Sequence, residues 1–247
     1  MEFYKYNALG NDFIFFETAC PFNREELAFL ARENEIGADG LVFLTPNQET
    51  DCRFEIYNKD GSQAEICGNA LRAVGYHLHR VKAIGRDVYT VTLGSRTVQV
   101  GLSDDGYYVE LEAPTLLSET ATGAICKAPN LHLIQLVKRV DIARLYETGS
   151  AFKDYMNTHE LMKINESTYA FISYEKGVGL TDSCVSGAVS AFEYLNKQGL
   201  ASLTMTFKTI GGDLKLSRTE TGKIRAEGPV RLVYKGEFDE KTVFETA

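Results

Sequence analysis

The stretches AEICGNALRAV (64–74) and TDSCVSGAVSAF (181–192) decide how this chain is read, because each sets a cysteine at the mouth of an apolar helix. Beyond Cys67, residues Leu71, Val74 and Leu78 recur at helical spacing. Beyond Cys184, Val189, Phe192 and Leu195 do the same, with Gly199 as a stop. Small residues crowd both starts. Each helix is followed by alternating, β-branched runs broken by turn residues: VYTVTL, RTVQVGL and YYVELEAP in the first half, LTMTF, GGDLKLS and KIRAEGP in the second. Pro114 and Pro229 close the corresponding runs. The layout therefore repeats in order and element type although few residues are identical.

This repetition predicts an α+β protein of two pseudo-symmetric domains, each a mostly buried central helix wrapped by a curved antiparallel sheet. The expected N-terminal lobe is 1–113 with Cys67 and the C-terminal lobe is 114–236 with Cys184. Residues 237–247 are expected to return to the first lobe, and the active site is expected in the cleft between the two.

The 247 residues suffice for two modest domains, and 44% hydrophobic content is ordinary for a globular chain. A formal net charge of -8 argues against nucleic acid or an anionic membrane as partner, since a phosphate polymer would be repelled. A small molecule fits better. The start MEFYKYNALGNDF has no basic lead followed by a long apolar run, and no later segment reaches the roughly 20 apolar residues of a membrane span. A cytoplasmic protein is expected.

Five cysteines, with no C-x-x-C pair and no histidine at zinc-ligand spacing, read as thiols rather than as a disulfide framework or a metal site. Cys20, Cys52 and Cys126 read as core residues. Cys67 and Cys184 read as functional, because both occupy one position of a repeated unit. The first helical turn offers unpaired N–H groups and partial positive charge, which favour a thiolate and can hold a carboxylate. The small residues Gly68, Ala70, Ser186 and Gly187 leave room for that carboxylate. From the low pKa expected at a helix start, one or both thiols are accordingly expected to react rapidly with an alkylating agent.

The stretches KYNALGNDFI (5–14), YNKDGSQAEICGNALR (57–72), YEKGVGLTDSCVSGA (174–188) and GPVRLVYKG (228–236) resemble the signatures of the diaminopimelate epimerase family of cofactor-independent amino-acid racemases. The resemblance runs from Tyr4 to Gly236. It implies a diaminopimelate epimerase-like fold and inversion of an α-carbon by two cysteines, here Cys67 and Cys184, one thiolate taking the proton while the other thiol returns one. It further implies His132 and Glu175 as the groups that move the thiol proton. Asn11, Asn58, Gly68, Asn69, Asn157, Lys176, Val185 and Ser186 are the implied substrate-binding residues. No metal and no organic cofactor is implied, and the family commonly forms homodimers.

The chain departs from the family pattern at Lys176 (usually arginine), Val185 and Ala70 (glycine), Leu180 (glutamate), Leu131 (proline) and His159-Glu160 (small or apolar residues). Lysine keeps a positive charge but not the two-pronged grip on a distal carboxylate. The resemblance thus implies epimerisation of L,L- to meso-diaminopimelate, in lysine and cell-wall synthesis. A racemase of another amino acid such as histidine is the nearest alternative, and a non-catalytic amino-acid-binding protein the alternative from another class.

Overall fold

The computed structural model describes residues 1–239 and Phe244. The chain divides into two compact units, Met1–Tyr107 with Pro229–Ala247, and Tyr108–Gly228. The residues from Pro229 onward, assigned by sequence to the second lobe as far as 236, thus lie with the first unit.

In unit 1, β1 (Glu2–Ala8) and β2 (Asn11–Phe16) form a tight hairpin. Its turn residues Leu9 and Gly10 both have positive φ, the conformation that matches the twist of the flanking strands. A short helix α1 (Arg24–Leu30) carries the chain to β3 (Gly40–Thr45), which lies parallel to β2. A parallel pair requires such a crossover. The helix starts cleanly because Asn23 and Glu26 form a reciprocal capping box. Antiparallel β4 (Cys52–Asn58) and the short β5 (Gln63–Ala64) follow, then α2 (Gly68–Tyr76), continued by a π-helical turn at His77–Val81. Strand β6 (Val88–Leu93) lies parallel to β4 and antiparallel to β7 (Arg96–Ser103).

Strand β8 (Gly106–Leu111) carries the chain into unit 2, which repeats this order. Strands β10 (Gly123–Ala128) and β11 (Asn130–Leu136) form the hairpin; α3 (Ile142–Phe152), capped by Asp141, leads to β12 (Asn157–Asn165) parallel to β11. Then come antiparallel β13 (Thr168–Glu175) and β14 (Gly179–Thr181), helix α4 (Val185–Lys197), and β15 (Thr204–Thr209) parallel to β13. Strands β16 (Gly212–Arg218) and β17 (Ile224–Gly228) finish it. Even the flanking strand recurs, since β18 (Arg231–Glu237) pairs antiparallel with β1 as β9 (Thr115–Thr120) does with β10. Each unit therefore adds two parallel pairs to its antiparallel hairpins.

The helices α2 and α4 are the cores of their units. Leu71, Val74, Val189, Phe192 and Leu195 are essentially without solvent exposure, at roughly 1.5–3 kcal/mol of burial each. Gly199, at φ +67°, ends the turn after α4 as its sequence position suggests. Phe238 and Phe244, from the expected returning tail, meet Phe22 of unit 1; the other residues of 240–247 lie outside the described residues.

Candidate active site

Both sequence-selected cysteines are helix N-caps, and in nearly one backbone conformation: Cys67 before α2 has φ −139°, ψ 114°, and Cys184 before α4 has φ −125°, ψ 103°. Each sulfur thus stands beside the unpaired N–H groups of a first turn. None of the five cysteines is in a disulfide.

Around Cys67, which is half-buried, the polar groups run in a chain. Arg72, with no solvent exposure, donates from Nη2 to Asn69 Oδ1 at 2.5 Å and from Nη1 to the Pro229 carbonyl at 3.3 Å. Asn69 in turn donates from Nδ2 to Asn11 Oδ1. This fixes both amides, and it directs the Nδ2 donors of Asn11 away from Asn69. Burial pushes the Arg72 guanidinium down to about 10, partly offset by the charge of Cys67 in its thiolate form. It is therefore a cation at neutral pH, and its Nε has no hydrogen-bond partner. Sequence reasoning passed over Arg72; the signal was an arginine flanked on both sides by residues of an apolar helix. Asn58 sits apart from this chain of bonds. It is exposed at the end of β4 and shapes its own turn, with Nδ2 donating to Ser62 Oγ at 3.0 Å.

Around Cys184, which is buried, unit 2 gathers Glu175, His132, Asn157 and His159. The thiol hydrogen-bonds to the Glu175 carboxylate, which is itself oriented by Thr181 Oγ1 at 2.7 Å. Burial, and then the Glu175 charge, push the Cys184 thiol well above its ordinary range, against smaller opposing bonds from Ser186 and the Gly187 N–H. The expectation of an acidic thiol at this helix start is corrected accordingly: desolvation and a carboxylate outweigh the helix terminus.

His132 and His159 have no solvent exposure. Their rings stack at 5.2 Å with His132 Nδ1 and His159 Nε2 3.0 Å apart. The hydrogen bonds assign the protons. His132 Nε2 faces the Ala128 carbonyl at 3.2 Å, so it carries hydrogen and Nδ1 is the acceptor. His159 then donates from Nε2, and its Nδ1 accepts from the Ser173 hydroxyl at 2.9 Å. Burial keeps both rings neutral, His132 being pushed down to about 4 and His159 well below its ordinary value. His159 is held on its other face by Phe171, stacked at 5.1 Å. It also lies so close to α4 that a Cβ on Gly187 would come within 2.3 Å of the ring. The small residue at 187 thus seats an imidazole, where the sequence suggested room for a carboxylate.

Asn157, buried at the start of β12, accepts from the Lys176 backbone N–H at 2.8 Å, with Nδ2 3.5 Å from His132 Nδ1. The Lys176 side chain is exposed. Val185 is buried and Ser186, half-buried, places Oγ 3.5 Å from the Cys184 sulfur. Among the described residues no helix is long and apolar enough to cross a membrane.

The family model "Diaminopimelate epimerase" matches residues 3–116. The diaminopimelate epimerase of Methanococcus maripaludis is 28% identical over 97% of this chain and 100% of its own length. Among solved structures, a probable proline racemase from Agrobacterium radiobacter superposes with a TM-score of 0.75 at 13% identity, covering 99% of this chain and 94% of that one. A phenazine biosynthesis protein of the PhzF family from Enterococcus faecalis does so with a TM-score of 0.73 at 14% identity, covering 96% and 98%. The repeated unit, the paired cysteine caps and these matches together give the chain a diaminopimelate epimerase-like fold.

Proposed function

We propose that this protein inverts the α-carbon of an amino acid without pyridoxal phosphate, using Cys67 and Cys184 as its two acid–base groups, and that the substrate is diaminopimelate. The observation that carries this reading is the environment of Cys184: a buried thiol hydrogen-bonded to Glu175, with the neutral His132 near, at the cap of α4 just as Cys67 stands at the cap of α2. A matched acid and base has no role in mere binding.

Cys184, which burial and Glu175 favour as a thiol, serves in this proposal as the proton donor. Cys67, whose thiolate is supported by the Arg72 cation, takes the α-proton. The carbon–hydrogen bond breaks, its electron pair stays on carbon and is delocalised into the α-carboxylate, and the Cys184 proton is delivered to the opposite face of that carbon. The two sulfurs have then exchanged states, ready for the reverse reaction. First-turn N–H groups of α2 at Gly68 and Asn69, and of α4 at Val185 and Ser186, stabilise the developing carboxylate charge. Glu175 and His132 take up and return the Cys184 proton between turnovers. Asn11, oriented by Asn69, donates to the substrate.

The relatives named diaminopimelate epimerase support the substrate; the proposal extends to a place in lysine synthesis in the cytoplasm and to a homodimer. One observation favours a second reading: the exposed Lys176 stands where the family's arginine grips a distal carboxylate. That reading is a racemase of another amino acid, such as histidine.

The deciding experiment is α-proton exchange followed by NMR in heavy water with reduced protein. Loss of the α-proton signal of L,L-diaminopimelate alone is the expected result. Exchange only with another amino acid moves the substrate, and no exchange across a panel of L-amino acids overturns the catalytic reading.

A further inference from the structure

Apart from the proton transfers assigned above, one cluster in unit 2 has the makings of a metal site. One ring nitrogen each of His132 and His159 and the sulfur of Cys184 lie within 4.8 Å of one another, all three side chains buried. Two imidazole nitrogens bound to one tetrahedral zinc at about 2.0–2.1 Å stand about 3.3 Å apart; His132 Nδ1 and His159 Nε2 are at 3.0 Å. These two nitrogens therefore need only slight separation to share an ion.

The surroundings fit a ligand set. His132 Nδ1 already presents a lone pair, because Nε2–H is held by the Ala128 carbonyl. His159 is oriented through its far nitrogen by Ser173 and clamped between Phe171 and Gly187. Outer bonds of this kind are what fix metal-binding imidazoles. Glu175, hydrogen-bonded to the Cys184 thiol, puts a negative charge beside the set. Two imidazoles and one thiolate suit a borderline-soft divalent ion, and three protein ligands leave a fourth position open.

We propose that His132, His159 and Cys184 bind one zinc-class divalent cation, and that the ion acts as a reversible block on Cys184. Binding balances simply. The Cys184 S–H bond breaks and the sulfur's electron pair goes to the metal while its proton is released to solvent. The proton on His159 Nε2 moves to Nδ1, where the Ser173 hydroxyl changes from donor to acceptor. One proton leaves per ion. The block rests on the catalytic role assigned to Cys184, whereas the binding does not.

The test uses the reduced full-length chain, freed of metal with a chelator and titrated with Co²⁺. The expected result is one ion per chain, the visible bands of tetrahedral cobalt, and an ultraviolet thiolate-to-cobalt charge-transfer band. Zn²⁺ displaces the cobalt without further proton release, whereas Zn²⁺ added to the metal-free protein releases one proton per ion bound. Cys184→Ser removes the charge-transfer band and Cys67→Ser keeps it. His159→Gln weakens Zn²⁺ binding by about 10-fold or more. Zn²⁺ also slows alkylation of Cys184 read by mass spectrometry. The proposal is overturned if the wild-type protein gives no tetrahedral cobalt spectrum, which needs no variant to fold, or if the charge-transfer band survives Cys184→Ser. None of these readouts involves turnover. An active epimerase without the cobalt spectrum removes the site and leaves the activity; a cobalt-binding protein without α-proton exchange does the reverse.

Discussion

Cys67 and Cys184 occupy one position of a repeated fold, with the same cap and nearly the same backbone angles, yet they stand in opposite electrostatic company. Beneath Cys67 lies a buried guanidinium, Arg72. Beside Cys184 lie a carboxylate, Glu175, and two neutral imidazoles. Duplication supplies the scaffold, and side chains from the surrounding strands and helices supply the chemistry. The acid–base pair proposed above, to be found in opposite protonation states, needs such an asymmetry.

The sharpest way to break the comparison is to replace the sulfurs. Cys67→Ser and Cys184→Ser should each lower kcat by about 10³-fold or more with the fold retained, read by α-proton exchange and circular dichroism. Wild-type turnover in either would end the two-thiol account.

A second test uses the histidines, since unit 1 also buries one against its helix. His77 Nδ1 accepts from Tyr6 at 2.8 Å and Nε2–H donates to Glu17 at 3.0 Å. Burial pushes it down to about 4 although Glu17 opposes the shift. The unfolded chain, with histidine near 6.5, therefore binds more protons between those values, and the stability that His77 contributes is present above pH 6.5 and lost on acidification towards 4. The loss from His77 should reach about 3 kcal/mol at most, and His77→Gln should make the urea-melt stability less steep over that pH range, the remaining slope belonging to His132 and His159. An unchanged slope would show that His77 is not the group responsible.

The third position after each cysteine gives the finer contrast. It is Ala70 in α2 and Gly187 in α4, and only the second faces an imidazole. Gly187→Ala should cost about 1–3 kcal/mol by overpacking against His159 despite the better helix propensity of alanine. Much of that loss should vanish in a His159→Ala background, as a double-mutant cycle in urea would show. The smallest effect is Ala70→Gly, about 1 kcal/mol from propensity, with no ring to seat and no coupling to His159.

These contrasts mark what the sequence could reveal. The runs at 88–93, 96–102, 203–207 and 211–217 alternate strictly enough to declare their strands, and both apolar helices announce themselves after a cysteine. The parallel pairs do not, because periodicity is blind to which strand lies alongside. The same limit hides the imidazole pair. In the parallel register His132 stands opposite Asn157, and His159 two residues further along opposite Ile134, so the two rings meet only once β11 and β12 are paired. Glu175 was reached only through the family resemblance, which implies an acid nine residues before Cys184. Arg72 was passed over although it is flanked by apolar helical residues, since a lone arginine in a short helix reads as surface until the helix is found buried on every side.

The pairing of β18 with β1, Glu237 facing Glu2, has a consequence for the order of events at the ribosome. Unit 2 is one continuous run, Tyr108–Gly228, and can complete its sheet as soon as it has emerged. Unit 1 is made first and finished last, because the edge of β1 stays unpaired until the final strand arrives. Until then that open edge, rich in aromatic residues, offers unpaired N–H and C=O groups to any other strand.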